Sequence, residues 1–249
     1  MTPPRAGRCA VALALALSTR AAPARAGDHP PLRLDAPGDA LITGAAVTFW
    51  VTTEALKPTL GPRYCRVCDR DAAGTSTLSS FDGGARDALR WSDTTLAARL
   101  SDGAAFLLTP AATIGVLAWA ESNEESLRHG AEDALVIAEA TSLAAVANQI
   151  TKYTVARARP YAYAAAEAGA QPADDRDDNL SFFSGHATFA FAVATATATT
   201  ASLRGFREAP WIWAGGLASA TLAAYLRIAA DKHYATDVLT GAAVGAAFG

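Results

Sequence analysis

The segment RIAADKHYATD carries Arg227, His233 and Asp237, and His233 is one of only four histidines in the chain. Residues at positions i and i+4 share a helix face, so the Asp237 carboxylate could hold one imidazole nitrogen and leave the other free to attack. The same pair could equally be a surface contact of little energetic value. The spacing alone therefore leaves both interpretations open.

A second basic cluster precedes this segment in KYTVARARP, where Lys152 is followed by Arg159 and Pro160. Basic side chains near a helix end commonly do no more than complement the helix dipole. Two cations about two turns apart could also reach one anion from the same side of a helix. On its own this cluster is a weak signal.

The stretch FSGHATF places Ser184, Gly185 and His186 just before a long apolar run. Serine is a good N-cap, so the stretch could simply begin a helix. A helix N-terminus also offers free N–H groups and positive partial charge to a phosphate, and glycine lets the backbone approach closely. His186 would then lie on the first turn, beside the bound anion.

Taken together, the three stretches supply three cations, a helix-end anion site, two histidines and one carboxylate. No cysteine-rich or carboxylate-rich metal site accompanies them in the sequence. This combination predicts metal-free phosphoryl transfer through a histidine.

In this order, the motifs K-x6-RP, SGH and R-x5-H-x3-D resemble the three-part signature of the type 2 phosphatidic acid phosphatase superfamily. That superfamily also contains bacterial non-specific acid phosphatases and vanadium haloperoxidases. The resemblance covers about residues 104–249. It departs from the usual pattern at Phe183, where proline is common, and at Leu226, where serine is common, and neither change removes a residue with a chemical role.

The resemblance implies a role for each residue of the signature. His233 would be the nucleophile that becomes phosphohistidine, and Asp237 would orient and polarise it. His186 would protonate the leaving alcohol and then help to activate water. Five residues would hold the phosphate oxygens: Lys152, Arg159, Ser184, Gly185 and Arg227.

The implied function is a phosphatase that hydrolyses a phosphate monoester of a small molecule or a lipid. No metal or cofactor is expected, and vanadate or phosphate should act as an inhibitor. A vanadate-dependent haloperoxidase is the first alternative, because vanadate resembles the phosphoryl transition state. A non-catalytic helical membrane or scaffold protein is the second.

The apolar pattern predicts an all-α fold, a bundle of five or six core helices of the acid phosphatase/haloperoxidase kind. A polar segment, 57–103, is inserted after the first core helix, and a short helix is expected within it at 86–91. The apolar segments that predict core helices are 40–56, 104–120, 132–151, 186–203, 211–229 and 236–248.

Residues 1–26 have the three-part pattern of a secretory signal, with Arg5 and Arg8 before an apolar run. Removing this segment would take away four arginines and no acidic residue, moving the net charge from −3 to −7. An acidic mature protein argues against a nucleic-acid partner. The predicted organisation is a signal peptide, an N-terminal extension over 27–103 and a phosphatase-like core over 104–249, located in the periplasm or secreted.

The apolar runs and the placement of charge bear on whether the chain spans a membrane. Two uncharged runs, 40–53 and 103–120, are borderline in length for a span, and the mean hydropathy of +0.15 is low for a multi-span protein. Six arginines and Lys57 in the polar segment would also face outward if an N-terminus-inside chain spanned the membrane. These features favour a soluble or peripheral bundle, and a membrane surface remains open as a partner.

Two further features lie outside the signature. Cys65 and Cys68 are expected to form a structural disulfide, because no further metal ligands lie near them. The acidic run at 174–179 is expected to be a solvated loop, although it could shape access to the site.

Overall fold

The computed structural model describes residue 32 and residues 34–71, 73–122, 127–169 and 175–249. The predicted signal peptide, residues 1–26, lies outside the described residues. Within them the fold is all-α, as predicted, with two isolated β-bridges and no strand. The α-helices are α1 (Ala36–Ala55), α2 (Lys57–Leu60), α3 (Ser80–Leu89), α4 (Thr94–Gly103), α5 (Val116–Ser122), α6 (Leu127–Val155), α7 (Pro160–Glu167), α8 (Gly185–Arg204), α9 (Ala209–Ala229) and α10 (Ala235–Phe248).

Each apolar segment of the sequence corresponds to a long helix. The segment 104–120 belongs to a helix that begins earlier, because α4 and α5 are joined by π-helical turns into one helix over Thr94–Ser122. The short helix expected at 86–91 also begins earlier. The Ser79 hydroxyl accepts a hydrogen bond from the backbone N–H of Asp82 and caps α3, which ends where Arg90 takes an extended conformation.

Helix α8 lies at the centre of the bundle and packs against α6, α9 and α10. Small residues allow this close packing, since most of the buried positions of α8 are alanine or threonine. Gly241 of α10 is needed for the same reason, because a Cβ there would lie 2.6 Å from the carbonyl oxygen of Ser184. Small side chains therefore let the helices that carry the signature motifs lie close to one another.

The last ten residues of the polar segment form α4, and the rest of it, residues 57–93, is attached to the end of α6. Cys65 and Cys68 form a disulfide, and the residues between them pair with the chain that follows α6. The backbone N–H of Arg66 donates to the carbonyl of Ala156, and that of Ala158 donates to the carbonyl of Val67, both at 2.9 Å. The segment thus lies against the residues that lead to Arg159.

Three helices are long and apolar enough to cross a membrane. The run 103–120, borderline on its own, belongs to the 29-residue helix Thr94–Ser122, and His129–Val155 and Ala209–Ala229 are the other two. Several large apolar side chains on the bundle are exposed: Leu41, Val51, Leu107, Trp119, Ile150 and Trp211. These features support membrane association, whereas run lengths, mean hydropathy and charge placement in the sequence favoured a soluble or peripheral bundle.

We expect Gly241→Ala to reduce stability by about 1–3 kcal/mol, because the new methyl group would push α10 away from α8. Gly44→Ala is the matched control. It lies within α1, where a Cβ meets nothing within 4 Å, so its unfolding temperature should be unchanged or slightly higher. Thermal unfolding of the purified variants measures both. Equal unfolding temperatures for the two variants would contradict this account of the α8–α10 contact.

Candidate active site

The three signature stretches meet at one cavity of about 260 Å³. The end of α6, the N-termini of α7 and α8, and the loop between α9 and α10 all reach it. Six of the predicted residues line it: Lys152, Arg159, Gly185, His186, Arg227 and His233. The structure therefore brings together side chains that are up to 81 positions apart in the sequence.

The imidazole of His233 is fixed in one tautomer by its neighbours. Its Nδ1 lies 2.8 Å from the carbonyl oxygen of Ser181, and a carbonyl can only accept, so Nδ1 carries the proton. Its Nε2 lies 3.3 Å from Nη1 of Arg159, a guanidinium that can only donate. The lone pair of Nε2 is thus on the side of the ring where the cations are gathered.

Burial and positive charge keep His233 neutral. Burial, and after it the charges of Arg159, Arg227 and Lys152, hold the pKa of His233 well below its ordinary value. All three cations are themselves buried, with less than a tenth of each residue exposed. An unprotonated imidazole among buried cations is an arrangement suited to attack on an anion.

Asp237 is placed differently from the expectation that it directly orients His233. Its Oδ2 is 3.8 Å from Nδ1 of His233, whereas the Ser181 carbonyl is within hydrogen-bond distance. Oδ2 instead accepts from the Ser181 hydroxyl at 2.5 Å and from the backbone N–H of Tyr234 at 3.0 Å. Asp237 therefore acts on the imidazole mainly through Ser181.

Arg157 is a buried residue of this site that sequence reasoning missed. Its guanidinium donates to Oδ1 of Asp237 at 2.7 Å and to carboxylate oxygens of Asp82 and Asp69, both at 3.0 Å. Arg157 therefore links the polar segment to Asp237. It also holds the Asp237 carboxylate, which in turn accepts the hydrogen bond from the Ser181 hydroxyl. Arg157 lies within the first motif, two residues before Arg159, and this position could have pointed to a role in the site. Its carboxylate partners are distant in the sequence, so the sequence alone could not identify them.

The Ser-Gly-His stretch begins α8, as predicted. Ser184 is the N-cap and is completely buried. A Cβ on Gly185 would lie 3.1 Å from Oδ1 of Asn148 and 3.3 Å from Nζ of Lys152, so glycine permits the close approach of this turn to α6. Asn148 also donates a 2.7 Å hydrogen bond to the carbonyl of Phe183 and fixes the entry to the helix.

His186 contacts a carboxylate outside the signature. Its Nε2 lies 2.7 Å from Oδ1 of Asp102, a residue of α4, and the same oxygen is 3.7 Å from Nη1 of Arg227. The pKa of His186 is well below its ordinary value because of burial first and then the charges of Arg227, His233, Lys152 and Arg159. Asp102 opposes this effect, since a nearby carboxylate favours the imidazolium.

In the acidic run, residues 175–179 are described, and they do not form the solvated loop that the sequence favoured. Asp177 lines the cavity and accepts a 3.0 Å hydrogen bond from Nη2 of Arg159, and it lies 3.4 Å from Nζ of Lys57. Although burial alone would raise it, the pKa of Asp177 is held well below its ordinary value by the charges of Arg159 and Lys57. Asp178 is buried and accepts from the Tyr161 hydroxyl. Through Asp177, which pairs with two of its cations, the run is part of the site.

The two departures from the signature lie in packed positions. Phe183 is buried beside the N-cap of α8. Leu226 belongs to a core cluster with Ala190, Ala194 and Ala223. Arg227, next to it, has its Nη1 3.0 Å from the hydroxyl of Ser101, so a serine from α4 contacts the arginine of the third motif.

Over the described ranges, no group of three or more histidine, cysteine, aspartate and glutamate side chains is arranged to hold a metal ion. The charged side chains that line the cavity are four cations and two carboxylates: Lys57, Lys152, Arg159, Arg227, Glu54 and Asp177. Their arrangement fits an anion.

Comparison with known proteins gives one match. Residues 133–249 match the family model described as the PAP2 superfamily, a range that contains all three signature stretches. Asp102 and the polar segment precede the matched range. No curated protein and no solved structure matches the chain.

We expect Asp102→Asn to lower the pKa of His186 further, because an amide cannot stabilise the imidazolium as a carboxylate does. If His186 donates a proton during turnover, the alkaline limb of the kcat–pH profile should move to lower pH. The rate at neutral pH should fall by about tenfold, part of the usual contribution of a general acid. Asp87→Asn, an exposed carboxylate on α3, is the control. An unchanged profile in Asp102→Asn would show that Asp102 does not act through His186.

Proposed function

We propose that this chain is a phosphatase that hydrolyses a phosphate monoester by way of phosphohistidine at His233, since residues 133–249 match the family model of the PAP2 superfamily. That match supports phosphatase activity on a phosphate ester. The mechanism rests on one observation: the unprotonated Nε2 of His233 lies among three buried cations.

In the first half of the reaction, the lone pair of His233 Nε2 forms a bond to phosphorus as the bond from phosphorus to the alcohol oxygen breaks. The negative charge of the bound phosphate opposes the cations that lower the pKa of His186, so His186 takes up a proton. It gives this proton to the alcohol oxygen, and the alcohol leaves. Lys152, Arg159 and Arg227 bind the equatorial oxygens, where negative charge is concentrated in the transition state. The free N–H groups at the start of α8 add to this binding.

In the second half, water attacks phosphorus and the bond to Nε2 breaks. His186, now neutral, accepts a proton from the water and is ready to donate again. Inorganic phosphate leaves and His233 returns to its neutral tautomer. Through both halves the Ser181 carbonyl holds Nδ1–H, so the positive charge that develops on the ring is stabilised in place.

The fixed cations do the work that Mg²⁺ does in many phosphoryl-transfer enzymes. Arg157 and Asp237 hold the nucleophile through Ser181 and do not contact the phosphate in this scheme. The proposed enzyme therefore needs no metal ion, and vanadate or phosphate should compete with substrate for the same cations.

The substrate is a phosphorylated small molecule or a lipid phosphate. The three helices long enough to cross a membrane support a substrate that is reached at a membrane. The signal-like segment at residues 1–26 leads us to place the reaction in the periplasm or outside the cell.

Purified protein should release phosphate from an aryl phosphate in the presence of EDTA, and His233→Ala should reduce kcat by about 10³-fold or more. His129→Ala is the matched control, because this histidine lies on α6 and does not line the cavity. Phosphate release is followed for the three proteins at equal concentration.

Wild-type turnover in His233→Ala would refute the phosphohistidine mechanism. Loss of turnover with EDTA, restored by a divalent metal, would refute metal independence. Halogenation of a dye with vanadate and peroxide, without phosphate release, would favour a haloperoxidase instead.

A further inference from the structure

The cavity extends beyond the residues that would bind phosphate. Near His186 it is also lined by residues of α1, α6 and the π-helical turn after α4 that are not part of the signature. This second part of the cavity, the α1 side, is bounded by Trp50, Glu54, Phe106, Ala145, Gln149 and Phe189. Because it adjoins the proposed general acid, it lies where the alcohol of a phosphate ester would be.

One wall of the α1 side is aromatic. The ring of Phe106 lies 4.9 Å from that of His186, and its other neighbour is Phe189 at 5.0 Å. Phe189 in turn lies 6.1 Å from Trp50 of α1. The rings form a continuous apolar surface that leads away from the proton donor and suits the carbon atoms of a leaving group.

Gln149 also lines the α1 side, with a buried amide whose oxygen has no hydrogen-bond partner among the described residues. Gln149 is only 2% exposed, and its Nε2 donates to Oε2 of Glu54 at 2.6 Å. Because a carboxylate only accepts, this contact identifies which amide atom is nitrogen. The remaining atom, Oε1, has no hydrogen-bond partner among the described residues. A buried acceptor without a partner costs free energy unless a ligand or water supplies a donor.

The surrounding charges indicate which donor is suitable. Lys57 and Lys152 line the same cavity, and Lys57 is paired with the carboxylate of Glu54. A positively charged ammonium group would be repelled by these lysines. A neutral hydroxyl group can donate to Gln149 without this penalty.

We propose that the α1 side is a leaving-group subsite that selects alcohols carrying a further hydroxyl group, with Gln149 Oε1 accepting the hydrogen bond from that hydroxyl. The inference rests on the proposed phosphatase function and narrows its substrate class to phosphate monoesters of polyols, including lipids whose headgroup bears a free hydroxyl. The aromatic wall contacts the carbon skeleton of the alcohol, and the amide oxygen of Gln149 accepts a hydrogen bond from its hydroxyl group.

The test compares two substrates with the same three-carbon skeleton, glycerol 1-phosphate and n-propyl phosphate. Phosphate release by the full-length protein in detergent gives kcat/KM for each, and an aryl phosphate is measured in parallel. The variants are Gln149→Leu and Gln149→Met, and the control is Thr154→Val, an exposed polar residue of the same helix. The ratio of the two kcat/KM values does not depend on how much of each preparation is folded.

The wild type and Thr154→Val should prefer glycerol 1-phosphate by about three- to tenfold, the effect of one net hydrogen bond. In both Gln149 variants the ratio should fall to about one. A wild type without preference, or Gln149 variants that keep it, would overturn the subsite while the phosphatase function stands. No release from the aryl phosphate by the wild type would refute the function itself, and the subsite with it.

Discussion

The burial of three cations beside one imidazole, while the nearby carboxylates of Asp177 and Asp102 stay partly exposed, is the constraint on which this site depends. Lys152, Arg159 and Arg227 are all nearly inaccessible to solvent and surround one imidazole. Bringing them together costs desolvation and mutual repulsion, which the fold offsets with Asp177 and Asp102 near the cavity. A bound phosphate dianion would offset the repulsion that remains between the cations. The free protein is therefore arranged to bind the anion that the reaction requires.

Five of the carboxylates around the cavity fall into two groups. Asp69, Asp82 and Asp237 are paired with Arg157 behind His233, and they fix the ring through Ser181 without facing the cavity. Asp102 and Asp177 contact the groups that would meet the substrate. The polar segment and α4, which the signature does not cover, supply Asp69, Asp82 and Asp102. Residues that precede the family match are thus integral to the candidate site.

Sequence reasoning predicted the all-α fold and the long helices because apolar runs and capping residues are local signals. It also selected side chains that the structure brings to one cavity, since their types and order matched a known signature. It could not find Arg157, Ser181 or Gln149, because their partners come from distant segments. The acidic run was wrongly predicted to be solvated for the same reason. The sequence does not show that Arg159 and Lys57 lie within ion-pair distance of Asp177.

The central claim is that phosphorus bonds to Nε2 of His233 during turnover. Rapid quenching of a single turnover, followed by proteolysis and mass spectrometry under alkaline conditions, tests this directly. The peptide that contains His233 should carry one phosphoryl group, and this group should appear and decay at rates consistent with kcat. Release of the alcohol with no phosphoryl group on His233, or with the group on another side chain, would contradict it.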